Sequence, residues 1–278
     1  MRIISALVGI VVLVAVLICP YTIVLAITAA LLSAVAVWEL LRNTGKVKNL
    51  VQVIGGMLIS VAGVMAMYFA KTTVNNSNAN TAAAKPWMLF LMALPLIYGL
   101  FTAIVWVFNH KKMSVNDACY GFLMTFYPTL GFGCMTLLRE FMWLNVWPLL
   151  LLLSIAWVSD TGAYFVGTFL GKHKMAPKIS PKKSWEGFFG GLICSVAGAV
   201  VLRFTGLLDL SLFDAIAVGI IICIFGVLGD LVESQLKRNF GVKDSGSIMP
   251  GHGGMLDRFD GALLAFPVAI IYIIFFAA

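Results

Sequence analysis

Charged residues are scarce in this sequence. Only 11% of its 278 residues are charged, whereas 61% are hydrophobic. A water-soluble fold could not cover its surface with so few charges, so the composition argues against a soluble domain. Apolar runs of about twenty residues recur along the whole length, and such runs have the length that a bilayer span requires. The sequence therefore predicts an all-α, polytopic integral membrane protein.

Cysteine and histidine are also sparse. The five Cys lie inside apolar segments without a CxxC motif, and none of the three His stands at ligand spacing from them. A structural zinc site and a disulfide framework are therefore not expected. The sequence also lacks GxSxG, HExxH, Walker and Rossmann motifs. This does not argue against phosphoryl chemistry, because a phosphate anion can itself be the nucleophile.

Nine apolar segments are candidate spans. They cover residues 3–19, 20–41, 49–70, 86–107, 118–138, 144–169, 187–204, 212–236 and 257–277. The first is interpreted as a retained span, since a second apolar run follows at once and no small-residue cleavage site precedes a polar start. We expect one membrane domain over 1–278, with scaffold and lipid or oligomer contacts in 1–138 and the catalytic half in 144–278.

The distribution of Lys and Arg predicts the orientation of the chain. Fifteen of these residues fall at Arg2, Arg258 and the connections 42–48, 108–117, 170–186 and 237–256, and the other four fall on the opposite side. The N-terminus is therefore expected in the cytoplasm and the C-terminus outside. Most acidic residues fall on the same predicted cytoplasmic side, which indicates a polar site there.

Two pairs of acids near the predicted cytoplasmic ends of the last spans are candidate metal ligands. Asp230 and Glu233 share a helix face with Lys237, and Asp257 and Asp260 share the first turn of the last span. The preceding PGHGG can turn N–H groups towards a phosphate. A phosphate beside paired acids requires a cation between them, and oxygen ligands favour Mg²⁺. A structural ion pair and simple helix-dipole partners are the alternatives.

A second polar region covers Asp160 and the motif SPKKSWEG. Lys182 and Lys183, flanked by Ser180 and Ser184, have the charge to neutralise a polyphosphate. A topology signal and contacts with lipid headgroups are the alternatives for this basic connection. The role of His252 is left open between phosphate binding, proton transfer and shaping of the loop.

The stretch SQLKRNFGVKDSGSIMPGHGGMLDRFD closely resembles the signature of the phosphatidate cytidylyltransferases, the CDP-diacylglycerol synthases. The matching positions are Ser234, Lys237–Arg238, Lys243–Asp244, His252–Gly254, Asp257–Arg258 and Asp260. SPKKSWEG, which ends with Glu186 and Gly187, is similar to a second motif of that family. Met249 and Ser184 depart from the usual residues, but they conserve size and hydroxyl respectively.

The resemblance implies transfer of CMP from CTP to phosphatidate, giving CDP-diacylglycerol and pyrophosphate. It implies Asp230 and Asp257 as Mg²⁺ ligands, with Asp160 and Asp260 in reserve and a second cation left open. The remaining expected catalytic residues are Lys237, Arg238, Lys243, Asp244 and Arg258. Those expected to bind substrate are Ser180, Lys182, Lys183, Ser184, Glu186, Ser234, His252, Gly253 and Gly254.

The expected partners are CTP, phosphatidate and membrane lipids, with no nucleic acid; a homodimer is left open. The expected location is an inner (plasma) membrane of bacterial type, with the active site facing the cytoplasm. An ion-coupled transporter is the alternative from another class, because intramembrane acids also mark ion pathways. A nucleotidyltransferase that acts on another lipid phosphate is the nearer alternative.

Overall fold

Eight long helices account for most of the described chain. The structure, a computed structural model, describes residues 15–16, 19, 22–43, 47, 49–76, 85–111, 113–141, 147–207, 210–242, 245–246 and 253–276. The helices are α1 (Thr22–Trp38), α2 (Leu50–Asn76), α3 (Lys85–Phe108), α4 (Val115–Phe141), α5 (Trp147–Phe169), α6 (Trp185–Phe204), α7 (Leu212–Asn239) and α8 (Leu256–Phe276). One π-helical turn, Glu39–Asn43, follows α1, and a hairpin of β1 (Lys174–Ala176) and β2 (Ser180–Ser184) joins α5 to α6.

All eight helices are long and apolar enough to cross a bilayer. They match eight of the nine predicted spans to within a few residues, and the chain is an all-α membrane protein as expected. The ninth predicted span, 3–19, falls mostly outside the described residues, so the total of nine and the orientation of the chain stay predictions. The sequence analysis did not anticipate the small hairpin.

The chain divides into two compact units. Unit 1 comprises residues 1–143 and 242–257, and unit 2 comprises residues 144–241 and 258–278. The prediction of one domain with a scaffold half and a catalytic half stays a prediction. The return of residues 242–257 to the first unit was not expected, because sequence order suggested that the glycine-rich loop groups with the second half.

In unit 1, α1, α2 and α4 pack against one another, and α3 packs on α2 and α4. The interior contains small hydroxyl side chains as well as apolar ones. Ser33 of α1 and Ser60 of α2 lie 2.5 Å apart through their Oγ atoms, and Thr129 of α4 donates to Ser60 at 2.9 Å. Such hydrogen bonds hold helices together in a bilayer, where lipid gives no hydrophobic drive for helix association.

In unit 2, α6 packs between α5 and α7. Glycines bring the backbones of α5 and α6 close together, and a Cβ on Gly187 would stand 3.1 Å from the Cα of Gly167. Helix α6 is capped at its N-terminus by Ser184, whose hydroxyl accepts a hydrogen bond from the Gly187 N–H at 3.2 Å. This cap satisfies one of the N–H groups that a helix start leaves without an intrahelical partner.

Candidate active site

Three carboxylates meet where α7 and the start of α8 approach each other in unit 2. One carboxylate oxygen from each of Asp230, Glu233 and Asp260 lies within 4.8 Å of the other two. Glu233 is fully buried, and the other two acids are half-buried. These three residues are called the acid cluster below. The sequence spacing predicted that Asp230 and Glu233 share a face of one helix, and the structure confirms it.

Glycine allows the two helices to come close enough to form the acid cluster. A Cβ on Gly229 of α7 would overlap the Asp260 carbonyl and would stand 3.0 Å from the Cα of Gly261. Any larger residue at position 229 would therefore separate the helices. Gly229 directly precedes Asp230 in the chain, so the closest approach of the helices falls where their acids face each other.

Two lysines compensate the charge of the acid cluster. The Nζ of Lys183, at the end of the hairpin, lies 2.7 Å from Asp230 Oδ2 and donates to the Val227 carbonyl at 3.2 Å. The Nζ of Lys237 donates to Glu233 Oε2 at 3.0 Å, one helical turn away on α7. Ion pairs are therefore present inside the predicted site, one within α7 and one between the hairpin and α7.

Two further residues predicted for the site lie near these charges. The Ser234 hydroxyl donates to Asp230 Oδ1 at 3.2 Å, one turn along α7. Asp160 on α5 is within electrostatic range of Asp260, Lys183 and Asp230. The structure thus brings α5, α7, α8 and the hairpin of unit 2 together around one group of charges.

Hydrogen bonds hold the hairpin that carries Lys183 both at its base and at its turn. The Glu186 carboxylate accepts hydrogen bonds from the His173 N–H at 3.2 Å and lies 2.6 Å from His173 Nδ1. Arg238 donates from Nε to the Ile179 carbonyl at 3.3 Å. Glu186 and Arg238, which the sequence analysis assigned to substrate binding and catalysis, therefore also fix the hairpin. Lys182, next to Lys183, is exposed.

The acid cluster fits a hard divalent cation. Mg²⁺ binds oxygen ligands at about 2.1 Å, so two oxygens on opposite sides of one ion are about 4.2 Å apart. The observed limit of 4.8 Å exceeds this by a few tenths of an ångström, which small side-chain rotations can close. Asp230, Glu233 and Asp260 would hold the ion.

Asp257 belongs to unit 1 and has different partners. Its Oδ2 accepts hydrogen bonds from the Gly254 N–H at 2.7 Å, the Ser245 N–H at 3.1 Å and the Ser245 hydroxyl at 2.9 Å. Ligating carboxylates are commonly held by hydrogen bonds of this kind. The predicted sharing of one cation by Asp230 and Asp257 stays a prediction, since the two residues lie in different units.

Lys243, Asp244 and His252 lie outside the described residues. Gly253 has a φ of 85°, a left-handed conformation that favours glycine, and Arg258 is exposed at the start of α8. The sequence analysis did not assign a role to Ser245 or to Glu39, the buried acid after α1. Glu39 stands alone among apolar residues in WELL, and only that isolation could have drawn attention to it.

Comparison with known proteins gives one consistent result. The model of a family described as "Cytidylyltransferase family" matches residues 1–276. A protein of Staphylococcus haemolyticus named phosphatidate cytidylyltransferase is 37% identical over 246 residues, which are 88% of this chain and 88% of that protein. A protein of the same name from Staphylococcus aureus is 36% identical over 90% of this chain and 90% of its own length. Another, from Staphylococcus epidermidis, is 39% identical over 69% of this chain and 73% of its own length.

Proposed function

Because the chain belongs to the cytidylyltransferase family, we propose that it is a membrane enzyme that transfers the cytidylyl group of CTP to phosphatidate. The products are CDP-diacylglycerol and pyrophosphate, and the reaction belongs to phospholipid biosynthesis. The observation that carries the proposal is the similarity, over almost the whole chain, to relatives named for this activity. Neither the family description nor these names favour a transporter or another lipid phosphate.

The reaction is a displacement at phosphorus. A phosphate oxygen of phosphatidate attacks the α-phosphorus of CTP and forms the new P–O bond of the diphosphate. The bond from the α-phosphorus to the oxygen that bridges to the β-phosphorus breaks, and pyrophosphate leaves with that electron pair. Both reactants are anions, so the protein must mainly hold them in line and neutralise their charge.

The two lysines that pair with the acid cluster are suited to binding and neutralising phosphate groups. Lys183 and Lys237 place ammonium groups beside Asp230 and Glu233, and each can form a charge-assisted hydrogen bond to a phosphate oxygen. Arg258, exposed at the start of α8, and Lys182, exposed on the hairpin, add positive charge for incoming phosphates. These four residues are the proposed phosphate-binding set among the described residues.

We include Mg²⁺ in the proposal, held by the acid cluster, with Asp257 and Asp160 as further predicted ligands. When bound, the ion would supply positive charge to the triphosphate and stabilise the leaving pyrophosphate. The support for it is the spacing and the oxygen-only chemistry of the cluster. The cluster also has three acids against two paired lysines, so a cation would balance their formal charges.

We propose that the site faces the cytoplasm of a bacterial plasma membrane. Fifteen Lys and Arg residues on the predicted inner side, against four on the other, support this orientation. The acid cluster lies towards the C-terminal end of α7, which the same rule places on the inner side. There a lipid substrate held in the leaflet can meet a nucleotide that cannot cross the bilayer.

The test uses purified protein in sealed vesicles of uncharged lipid, sorted by the side that faces outward. Pyrophosphate should form from added CTP and Mg²⁺ only when phosphatidate is in the bilayer, and only in vesicles with the predicted cytoplasmic side outward. Diacylglycerol in place of phosphatidate is the matched control, because it lacks the attacking phosphate. Pyrophosphate release without phosphatidate would refute the acceptor, and release in the opposite orientation would refute the sidedness.

A further inference from the structure

Glu39 is a carboxylate buried in unit 1 that no part of the proposed reaction uses. It stands at the first position of the π-helical turn that follows α1, and its side chain is fully shielded from solvent. Burial of a carboxylate is costly unless its oxygens accept several hydrogen bonds. A buried acid at the end of a membrane-spanning helix therefore needs a specific reason.

The hydrogen-bond donors to Glu39 are at the start of α8, more than 200 residues later in the sequence. Its Oε1 accepts a hydrogen bond from the Met255 N–H, and its Oε2 accepts one from the Leu256 N–H, each at 3.0 Å. The first N–H groups of a helix have no intrahelical acceptor. Glu39 supplies that acceptor with both oxygens, so it caps α8 from a distant part of the chain.

The same carboxylate is linked to Asp257 through one hydroxyl. The Ser245 Oγ lies 3.5 Å from Glu39 Oε2 and donates to Asp257 Oδ2 at 2.9 Å. Asp257 comes directly after the two residues whose N–H groups Glu39 binds. Glu39 therefore fixes the backbone that carries Asp257, and it contacts the serine that holds the Asp257 side chain.

Two glycines are required by the position of the Glu39 carboxylate. A Cβ on Gly246 would overlap the Glu39 carboxylate, and a Cβ on Gly254 would stand 2.7 Å from Glu39 Oε2 and 2.7 Å from the Gly246 N. Gly254 is the last residue of the HGG motif, which the sequence analysis assigned to phosphate binding. Its close contact with Glu39 is a second reason why this position requires glycine, in addition to the predicted phosphate binding.

The π-helical turn that carries Glu39 is itself held in place. The Tyr120 hydroxyl of α4 donates to the Leu40 carbonyl at 3.1 Å, and the Val47 N–H donates to the Leu41 carbonyl at 3.2 Å. A π turn widens a helix by one residue and changes the direction of the side chains around it. Such turns are frequent at functional sites, so the local geometry agrees with a functional role for Glu39.

From these contacts we propose that Glu39 is a positioning residue for the cytidylyl transfer: it holds the loop that carries Asp257 in its working geometry. The proposal rests on the proposed function, because turnover of CTP and phosphatidate is one of its readouts. Glu39 does not touch the reacting atoms in this assignment. It acts through Ser245 and the first backbone groups of α8.

The first experiment measures hydrogen exchange of the segment 245–258 in purified parent, Glu39→Gln and Glu39→Asp proteins. The Gln amide can accept only one of the two backbone hydrogen bonds and turns an NH₂ group towards the other N–H. We expect exchange in this segment to become at least about tenfold faster in Glu39→Gln, since hydrogen bonds to charged groups are among the stronger ones. Glu39→Asp keeps both acceptors on a shorter side chain and should show an intermediate rate.

The second experiment measures kcat and KM on the folded fraction of the same proteins. Small misplacement of a reacting group can lower turnover by about 100-fold. We expect kcat of Glu39→Gln to fall by about 10- to 100-fold, with a KM for CTP within about threefold of the parent. Glu39→Gln keeps the length of the side chain, whereas Glu39→Asp keeps the carboxylate with its two acceptor oxygens. Partial recovery of kcat in Glu39→Asp would therefore indicate that the carboxylate acts by holding the backbone in place.

The matched control is Ser33→Ala. Ser33 lies on α1, in the helix that leads into the turn of Glu39; it is fully buried, and its hydroxyl hydrogen-bonds Ser60 of α2. This variant should lose stability while keeping the parental exchange of that segment and the parental kcat. Parental exchange in Glu39→Gln, or faster exchange with an unchanged kcat, would overturn the proposal.

Ser245→Ala keeps the proposal testable if neither Glu39 variant folds. It removes the hydroxyl between Glu39 and Asp257 but leaves the Glu39 hydrogen bonds to α8 intact. We expect a folded protein whose kcat is about three- to tenfold lower; a parental kcat would overturn the proposed link. If the parent itself makes no CDP-diacylglycerol, the proposed function is wrong, and the exchange experiment still decides whether Glu39 holds this loop.

Discussion

Two pairs of acidic residues, one pair in each unit, are compensated in different ways. In unit 2, Asp230 and Glu233 face the ammonium groups of Lys183 and Lys237 at 2.7 and 3.0 Å. In unit 1, Glu39 and Asp257 face backbone N–H groups and the Ser245 hydroxyl. A lysine side chain can move to another anion, whereas a backbone N–H stays where the fold puts it.

This difference separates two roles for residues of the same charge. Acids paired with lysines can exchange those partners for a cation, and the released lysines can bind phosphate. Acids held by backbone N–H groups are fixed before any substrate arrives, which favours a preorganised site. The acid cluster is therefore the part expected to change its contacts during turnover, and the loop around Asp257 is the part expected to stay constant.

The largest expected effect comes from Asp→Asn at positions 230 and 257. Each single variant should lose at least about 100-fold in kcat, because a neutral amide removes a charge that the transition state needs. If both acids serve one cation, the double variant should be little worse than either single one. Kinetics across a Mg²⁺ titration, with and without chelator, measure this.

Asp214→Asn is the matched control for these variants. Asp214 is at the opposite end of α7, where its carboxylate accepts hydrogen bonds from the Ser211 hydroxyl and from the Tyr272 hydroxyl, the latter at 2.8 Å. Its loss should lower thermal stability without changing the Mg²⁺ dependence of turnover. Single effects of Asp230→Asn and Asp257→Asn that multiply in the double variant would show that the two acids act independently.

An intermediate effect is expected from the two neighbouring lysines of the hairpin. Lys183→Ala removes the partner of Asp230 and should lower kcat by about 10- to 100-fold. Lys182→Ala removes an exposed charge and should mainly raise KM for CTP, by less than about tenfold and less at high salt. Equal effects of the two substitutions on kcat and KM would contradict the special position of Lys183.

The smallest expected effect is on stability, and it distinguishes Gly254, which packs against Glu39, from Gly226, which has open space beside it. Gly254→Ala forces a methyl group against Glu39 and should lower the free energy of unfolding by about 1–3 kcal/mol. Gly226→Ala, within α7, places its methyl group where no described atom other than the backbone of its own helix lies within 4 Å, and it should be neutral or stabilising by up to about 1 kcal/mol. Thermal unfolding in detergent measures both, and an unaltered Gly254→Ala protein would contradict the tight packing around Glu39.

The sequence was sufficient to predict the helices and one part of the site. Apolar runs of span length directly report bilayer crossings, so eight predicted spans recur as helices. The spacing of Asp230, Glu233 and Lys237 fixes a common helix face, and the Glu233–Lys237 pair follows from it. These features depend on local periodicity, which a sequence displays without further information.

Contacts between distant segments were not predictable in the same way. Glu39 binds residues more than 200 positions away, and Lys183 pairs with Asp230 across 47 positions, so no local period indicates either contact. The hairpin was also missed, because SPKKS carries no alternation of apolar and polar residues. The glycines at 229, 246 and 254 gain their meaning only from the atoms that face them.

The lysine partners also bear on how the chain enters the membrane. Glu233 and Lys237 lie on one helix, so they can enter the bilayer as a neutral pair rather than as separate charges, each costing about 2.5–3.5 kcal/mol at the membrane centre. Lys183 precedes Asp230 in the chain and is therefore synthesised first. Its ammonium group is available to pair with Asp230 as soon as that acid is made. Helix α7 can therefore be inserted before any nucleotide or cation has reached the site.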